Sequence, residues 1–221
     1  CFDCGSALAE AEVEYQDKKS DAIDVAFPIE DADKLAAAFG LSELSKPTAI
    51  VIWTTTPWTI PGNRAVAYGE EADYVVLEVT QVTGEKSMAR QGERLVVAKD
   101  LAAALMETAG FAAEVKGEMK GAALAGTVCA HPLRGAPEGR GGYDFDVPLL
   151  PGDFVTMDQG TGFVHIARGH GQDDWELGLA NGIEVPQTVD GDGLYLPHVP
   201  LFAGAAVYDQ NGKPGDANGK V

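Results

Sequence analysis

The chain has 221 residues, 45% of them hydrophobic, and its 34 acidic residues against 16 basic ones give a formal net charge of -18. That length and apolar content suffice for one large domain with a substantial core, while the negative field excludes nucleic-acid binding through a broad basic face, so any such contact is expected to be local. The longest apolar runs, such as AIVI at residues 49–52, fall far below the ~20 residues that span a bilayer, and three cysteines without a disulfide framework point to a reducing, cytoplasmic setting.

In chain order, Cys1 opens the sequence in mid-motif instead of Met, which suggests an excised piece of a larger protein. Cys1 and Cys4 have the spacing of half a zinc site, but no second CxxC follows, so a pair of free thiols stands as the alternative. SALAEAEVEY is ambiguous between helix and strand, with alternation favouring strand. DAIDVAFPIED reads as extended, and DADKLAAAFG as a short helix stopped by Gly40. From Lys46 the β-branched runs TAIVIWTT, RAVAY, ADYVVLEVT and RLVVAKD, separated by turn residues, predict strands. DLAAALMETA predicts a helix with Asp100 as N-cap and Gly110 as terminator. FAAEVKGEM and ALAGTVCAHPL read as further strands, GAPEGRGG as a loop, and the segment from Tyr143 to Gly169 as at least two more short strands. QDDWELGLA, residues 172–180, predicts an amphipathic helix closed by Asn181-Gly182. The fold class is therefore α+β, mainly β, with a β-barrel-like sheet arrangement and short helical inserts.

Two constellations carry candidate chemistry. In WTTTPWTIPGN, residues 53–63, Thr54, Thr55, Thr56 and Thr59 offer hydroxyls that donate and accept, while Pro57 and Pro61 pin the backbone. Alternation places Thr54 and Thr56 on one side and Thr55 on the other. The structural alternative is a strand end whose threonines satisfy their own turn. In GTGFVHIARGHGQDDWELG, residues 160–178, His165 lies on a strand and His170 in the following loop, and Asp173 and Asp174 fall in the first turn of the helix, where the macrodipole alone would favour acids. No Ser or Cys nucleophile signature, HExxH motif or Walker loop is present, so a hydrolytic site here would orient a water rather than form a covalent intermediate.

Together, WTTTPWTIPGNRAVAYG and GTGFVHIARGHGQDDWELG resemble the editing domain inserted into isoleucyl-tRNA synthetases, class I enzymes, and CFDCGSALAEAEVEY resembles the segment by which that insertion leaves the catalytic body. The likeness spans nearly the whole chain. TTTPWT separates it from the related valyl and leucyl editing domains, which are expected to carry TTRP followed by an acid. The resemblance implies a β-barrel-rich globule with connecting segments at residues 1–45 and 206–221 around a core at 46–205. It also implies hydrolysis of the ester joining a wrong amino acid, chiefly valine, to the 3′ end of tRNA(Ile). A pocket rejects a side chain one methylene shorter by only ~10–200-fold, a limit for which isoleucyl-tRNA synthetase is the standard illustration, so a second sieve is needed.

Carried over by resemblance, the catalytic set is Thr54, Thr55 and Thr56, holding ester and water, His165, barring isoleucine by bulk, and Asp174, binding the α-ammonium. Trp58, Thr59, Asn63, Gly162 and His170 form the substrate-binding set, with Trp58 a wall near the adenosine or the side-chain pocket and Asn63 supporting the turn or touching the ligand. No metal or cofactor is implied in this domain, ATP and zinc belonging to the full-length enzyme. The implied partners are the mischarged tRNA(Ile) 3′ end and the rest of the synthetase in cis, in a cytoplasmic monomer without membrane contact. Arg168 departs from the proline expected in the family's Ala-Pro-Gly-His-Gly, which is expected to loosen the loop and add a cation near the tRNA end. A non-catalytic module that places the acceptor end, or a related valyl- or leucyl-type editing domain, is the alternative function.

Overall fold

A computed structural model describes residues 20–41, 46–209 and 212–221. Cys1, Cys4 and the SALAEAEVEY segment lie outside the described residues. The described chain forms nine strands and three short helices: β1 (Ile23–Pro28), α1 (Ala32–Ala38), β2 (Thr48–Thr54), β3 (Ala65–Tyr68), β4 (Asp73–Val82), β5 (Arg94–Ala98), α2 (Ala102–Ala109), β6 (Phe111–Lys120), β7 (Val128–Ala130), β8 (Asp146–Pro151), β9 (Phe163–Ile166) and α3 (Gln172–Ala180).

The strands divide into a five-stranded sheet of order β1-β2-β5-β4-β6 and a four-stranded sheet of order β7-β8-β3-β9, both mixed and both open. Each contains one parallel pair, β2 with β5 and β3 with β8, flanked by antiparallel neighbours. The fold is mainly β with short helices, as the run of β-branched segments implied. Strand β2 lies between β1 and β5, so its central residues Ile50, Val51 and Ile52 are buried on both faces, which is why AIVI is a continuous apolar run instead of an alternating one. The two sheets share one core, in which Phe27, Ile50, Ile52, Tyr74 and Leu77 from the first meet Val66, Tyr68, Val147 and Phe163 from the second.

Gly40, Gly110 and Gly182 follow the three helices at φ of +67°, +68° and +67°, the left-handed stop expected of each. Two local expectations are corrected. Asp100 falls inside a 3-10 turn, Lys99–Leu101, that precedes α2, and the residue at the helix N-cap is Leu101, which has no side-chain cap. ALAGTVCAHPL yields strand only over Val128–Ala130, because Gly121–Leu124 coils into a 3-10 turn whose Gly121 and Ala122 amides donate to Ala72 and Glu70. The first turn of α1 is capped by Asp31, whose carboxylate accepts from the Lys34 amide at 3.2 Å.

The sheets meet where β2 ends. There Thr161 accepts from the Ala98 amide at 2.8 Å, and the Tyr74 hydroxyl, from β4, donates to the Gly162 carbonyl at 2.6 Å. This junction brings the C-terminal end of β2 beside β9. It places the threonine run and His165 together although more than a hundred residues separate them in sequence.

Candidate active site

Strand β2 stops at Thr54 because Pro57 cannot donate to a ladder, and Pro57–Gly62 coils into a 3-10 helix that carries both prolines. Thr56 accepts at its carbonyl from the Thr59 amide at 2.9 Å and from the Thr59 hydroxyl at 2.8 Å. Thr54 Oγ1 accepts from the Thr56 amide at 3.1 Å and lies 3.2 Å from Thr56 Oγ1. The turn therefore satisfies itself and still presents a hydroxyl pair, so the two readings of the threonines are not exclusive. One bond between Thr54 and Thr56 uses one of their two hydroxyl hydrogens: when Thr56 donates, the Thr54 hydrogen is left for a ligand, and when Thr54 donates, the Thr56 hydrogen has Thr59 Oγ1 as an acceptor at 3.5 Å.

His165 extends from β9 toward this turn and is 8% exposed. Its Nε2 lies 2.8 Å from Thr59 Oγ1, and its Nδ1 lies 3.5 Å from Asn63 Nδ2. The only Thr59 hydroxyl hydrogen is donated to Thr56, so Thr59 Oγ1 accepts from His165, and the ring is the neutral Nε2–H form with Nδ1 facing the Asn63 amide. Burial, reinforced by His170 and His131, holds its pKa down at about 4. His165 is thus an uncharged wall, and its only free-base nitrogen points at Asn63.

Asp174 stands in the first turn of α3, half-buried, and accepts from the Ala167 amide at 3.3 Å. Burial raises its pKa to about 6, the Ala167 bond opposing and neighbouring Asp173 adding to the rise. Gly171 packs close beside it, leaving little room for a side chain, since a Cβ built there would lie 3.0 Å from Asp174 Oδ2.

These groups converge. One cavity of about 300 Å3 is lined by Thr54, Thr55, Thr56, Gly162, His165 and Asp174, with Trp53, Phe154, Thr156, Gln159, Gly160, Phe163 and Val164 completing its walls. Gly162 is fixed there by backbone geometry, with φ of +80° and a hypothetical Cβ only 2.3 Å from Ala98 Cβ. Thr59 and Asn63, 4% and 0% exposed, lie behind this lining and act on the cavity through His165. Trp58 and His170 are not in the lining. They pack edge to face at 4.8 Å between ring centroids, His170 Nε2 lies 3.4 Å from Thr188 Oγ1, and Trp58 joins the separate cluster of Tyr143, Tyr195, Val199 and Phe202 while its carbonyl accepts from Tyr195. Arg168 does not dangle either. Its guanidinium sits over the Trp175 ring at 4.5 Å and donates to the Ile183 carbonyl, tying the loop to α3.

Sequence reasoning passed over Trp53, Phe154 and Gln159 as lining residues and His131 as a buried polar group, since nothing in their local patterns sets them apart from core or loop. Among the described residues no group of three or more His, Cys, Asp or Glu is placed to hold a metal ion, and Cys129 is buried within β7. No helix among the described residues is long and apolar enough to cross a membrane.

No protein-family model matches the chain. Among curated proteins it is similar to the isoleucine–tRNA ligase of Gluconobacter oxydans, 51% identical over 205 residues covering 92% of this chain and 20% of that protein. The isoleucine–tRNA ligase of Ectopseudomonas mendocina is 47% identical over 214 residues, covering 96% and 21%. The chain thus spans about a fifth of the length of these relatives. Among solved structures, GlLeuRS-CP1 matches with a TM-score of 0.53 and 16% identity over 70% of this chain and 56% of that one. The P. knowlesi cytosolic leucyl-tRNA synthetase editing domain matches with a TM-score of 0.53 and 13% identity over 70% and 59%. By sequence the chain belongs to the isoleucine–tRNA ligase family, as a segment whose fold is that of the leucyl-tRNA synthetase editing domain.

Proposed function

We propose that this segment hydrolyses the ester that joins a misattached amino acid, chiefly valine, to the 3′ end of tRNA(Ile), as the second sieve of an isoleucine–tRNA ligase. The observation that carries the reading is the convergence of Thr54, Thr55, Thr56, His165 and Asp174 on one cavity of about 300 Å3. The Asp174 carboxylate supplies a site for the α-ammonium of the amino acid, and an incoming cation would draw its raised pKa back down and keep it ionised. The neutral His165 ring limits the side-chain space by volume and repels no apolar group by charge. That suits a sieve that admits valine and excludes isoleucine.

Hydrolysis then proceeds by positioning. The Thr54 and Thr56 hydroxyls orient the ester and the attacking water; the water oxygen bonds to the carbonyl carbon, the bond to the ribose oxygen breaks, and the proton the water loses ends on that oxygen, releasing the free amino acid and the ribose hydroxyl. His165 is not the base, since its Nε2 carries a hydrogen committed to Thr59. A segment of charge -18 relies on the remainder of the synthetase, in cis, to bring the flexible 3′ end to the cavity. The whole is read as a cytoplasmic monomer, with ATP binding, and any zinc to which Cys1 and Cys4 contribute, belonging to the intact ligase rather than to this cavity.

The test is deacylation of valyl-tRNA(Ile) by the full-length ligase carrying Asp174→Ala or Thr56→Ala. Loss of hydrolysis with isoleucine charging intact supports the reading. Unchanged hydrolysis would make the cavity a non-catalytic cradle for the acceptor end, and equal affinity for valyl- and isoleucyl-adenosine analogues in calorimetric titration would remove the sieve.

A further inference from the structure

His131 is 1% exposed, lies just beyond β7 and takes no part in the cavity lining. Its Nδ1 is 3.2 Å from the Leu133 amide, which can only donate, so the ring hydrogen resides on Nε2. That Nε2–H donates to the Ile60 carbonyl at 3.0 Å. Ile60 is the residue after Thr59 in the 3-10 turn, and its carbonyl also accepts from the Asn63 amide at 2.9 Å, so His131 fills the second acceptor site. The imidazole is clamped by aromatic rings, stacked on Tyr143 at 4.8 Å with Phe145 at 5.1 Å and Phe27 at 6.3 Å. Burial, with Arg64 and Arg134 nearby, keeps its pKa at about 4, so the donor geometry persists across the physiological range.

The threonine turn is therefore braced by two neutral Nε2–H imidazoles, His165 on the Thr59 hydroxyl and His131 on the next residue's carbonyl. A polar side chain in an aromatic cage costs desolvation that an apolar residue of similar shape would not incur, so its hydrogen-bonding geometry is what distinguishes it there. We infer that His131 is a positioning residue for the proposed hydrolysis, setting through the Ile60 carbonyl where the Thr56 and Thr59 hydroxyls stand. The inference rests on the hydrolytic reading of the cavity.

The test uses the full-length ligase with His131→Phe, which keeps an aromatic ring against Tyr143 and removes the donor, and His131→Gln, whose amide can accept from Leu133 and donate to Ile60. His131→Phe is expected to lower kcat for valyl-tRNA(Ile) deacylation by about tenfold to a hundredfold with little change in KM, since small displacements of positioning groups cost rates of that order. Isoleucine charging should stay at the wild-type level, and His131→Gln should recover most of the rate. A folded His131→Phe enzyme with unchanged kcat, or His131→Gln as slow as His131→Phe, overturns the inference. If His131→Phe does not fold, His131→Gln against His131→Met, similar in volume and different in the donor, makes the same comparison. Asp174→Ala, run alongside, separates the two claims: if it too leaves deacylation intact, the hydrolytic reading has failed, whereas its loss beside an intact His131→Phe rate overturns only the role of His131.

Discussion

The threonine turn and the first turn of α3, which carries Asp174, face the same cavity, yet they are held very differently. On the turn, Thr54, Thr56 and Thr59 are bonded among themselves and to His165, and Ile60 and Asn63 are completely buried. On the other wall, Gly169 and Gly171 are exposed, and the Asp174 carboxylate accepts a single long bond from Ala167. The first wall has its geometry fixed before any ligand arrives. The second holds a carboxylate whose burial is only weakly compensated, which leaves it in want of a cation. On the proposed reading, the rigid wall would hold the reacting atoms and the under-satisfied wall the ammonium, dividing orientation from recognition.

The largest test of that division is Asp174→Ala. Removing one partner of a partly buried charge pair costs a few kcal/mol, so kcat/KM for valyl-tRNA(Ile) is expected to fall about a hundredfold or more, measured as deacylation by the full-length ligase. The pH dependence sharpens the point. With a folded pKa of about 6 against an ordinary 3.8, Asp174 contributes stability that is fully present below the ordinary value and lost as pH rises through about 6. Ammonium binding needs the ionised form, so kcat/KM should instead rise across the same interval. Stability of the ligand-free protein and activity should thus move in opposite directions between about pH 4 and pH 6, in denaturant melts and deacylation rates taken side by side. Parallel movement would place the ionisation elsewhere.

On the fixed wall the expected effects are losses of stability as much as of rate. Gly162→Ala puts a methyl 2.3 Å from Ala98 Cβ at a φ of +80°, so chemical denaturation should show a loss of about 2–4 kcal/mol, among the larger single-residue effects. Thr59→Val keeps the shape of the turn and strands the His165 Nε2–H in a buried site. A loss of about 1–3 kcal/mol is expected, and the ring should lose its fixed tautomer in nitrogen NMR of labelled histidine.

What the sequence disclosed and what it hid follow the same line between local and distant causes. The threonine turn, the strand runs from Lys46 onward and α3 over residues 172–180 depend on prolines, β-branching and a Gly stop, all readable within a dozen residues. The parallel pairing of β2 with β5, the closeness of Thr59 to His165 and the brace from His131 depend on distant contacts, 106 and 71 residues apart in the last two cases, where local pattern carries no signal. Trp58 shows the limit within one motif. It sits in the most distinctive stretch of the chain, but its ring turns toward His170 and the Tyr195 cluster, a direction fixed by residues near the C-terminus such as Asn218, which accepts from its amide at 3.2 Å. Asp100 fell short as a cap because the chain enters α2 through a 3-10 turn, a choice between two helical geometries that composition does not decide.

Arg168 gives the smallest expected effect and the finest test of the contrast between the two walls. A residue in place of the family's expected proline should have loosened the loop between His165 and Asp174. Its side chain instead spans back to α3, over Trp175 and onto the Ile183 carbonyl, and crowds Gly178, where a Cβ would meet its Cδ at 2.6 Å. The cation is thereby turned along the helix, and the rigidity a proline would supply from the backbone comes from a side-chain strap. Arg168→Leu keeps part of the apolar stem and removes the cation–ring contact, so a loss of about 0.5–1 kcal/mol is expected in thermal or denaturant unfolding. Deacylation should change by less than about threefold, because Asp174 is placed by the Ala167 amide and the start of α3 rather than by the guanidinium. A much larger fall in rate, at unchanged stability, would show that the strap holds the recognition wall in place and that this wall is less yielding than its single long hydrogen bond implies.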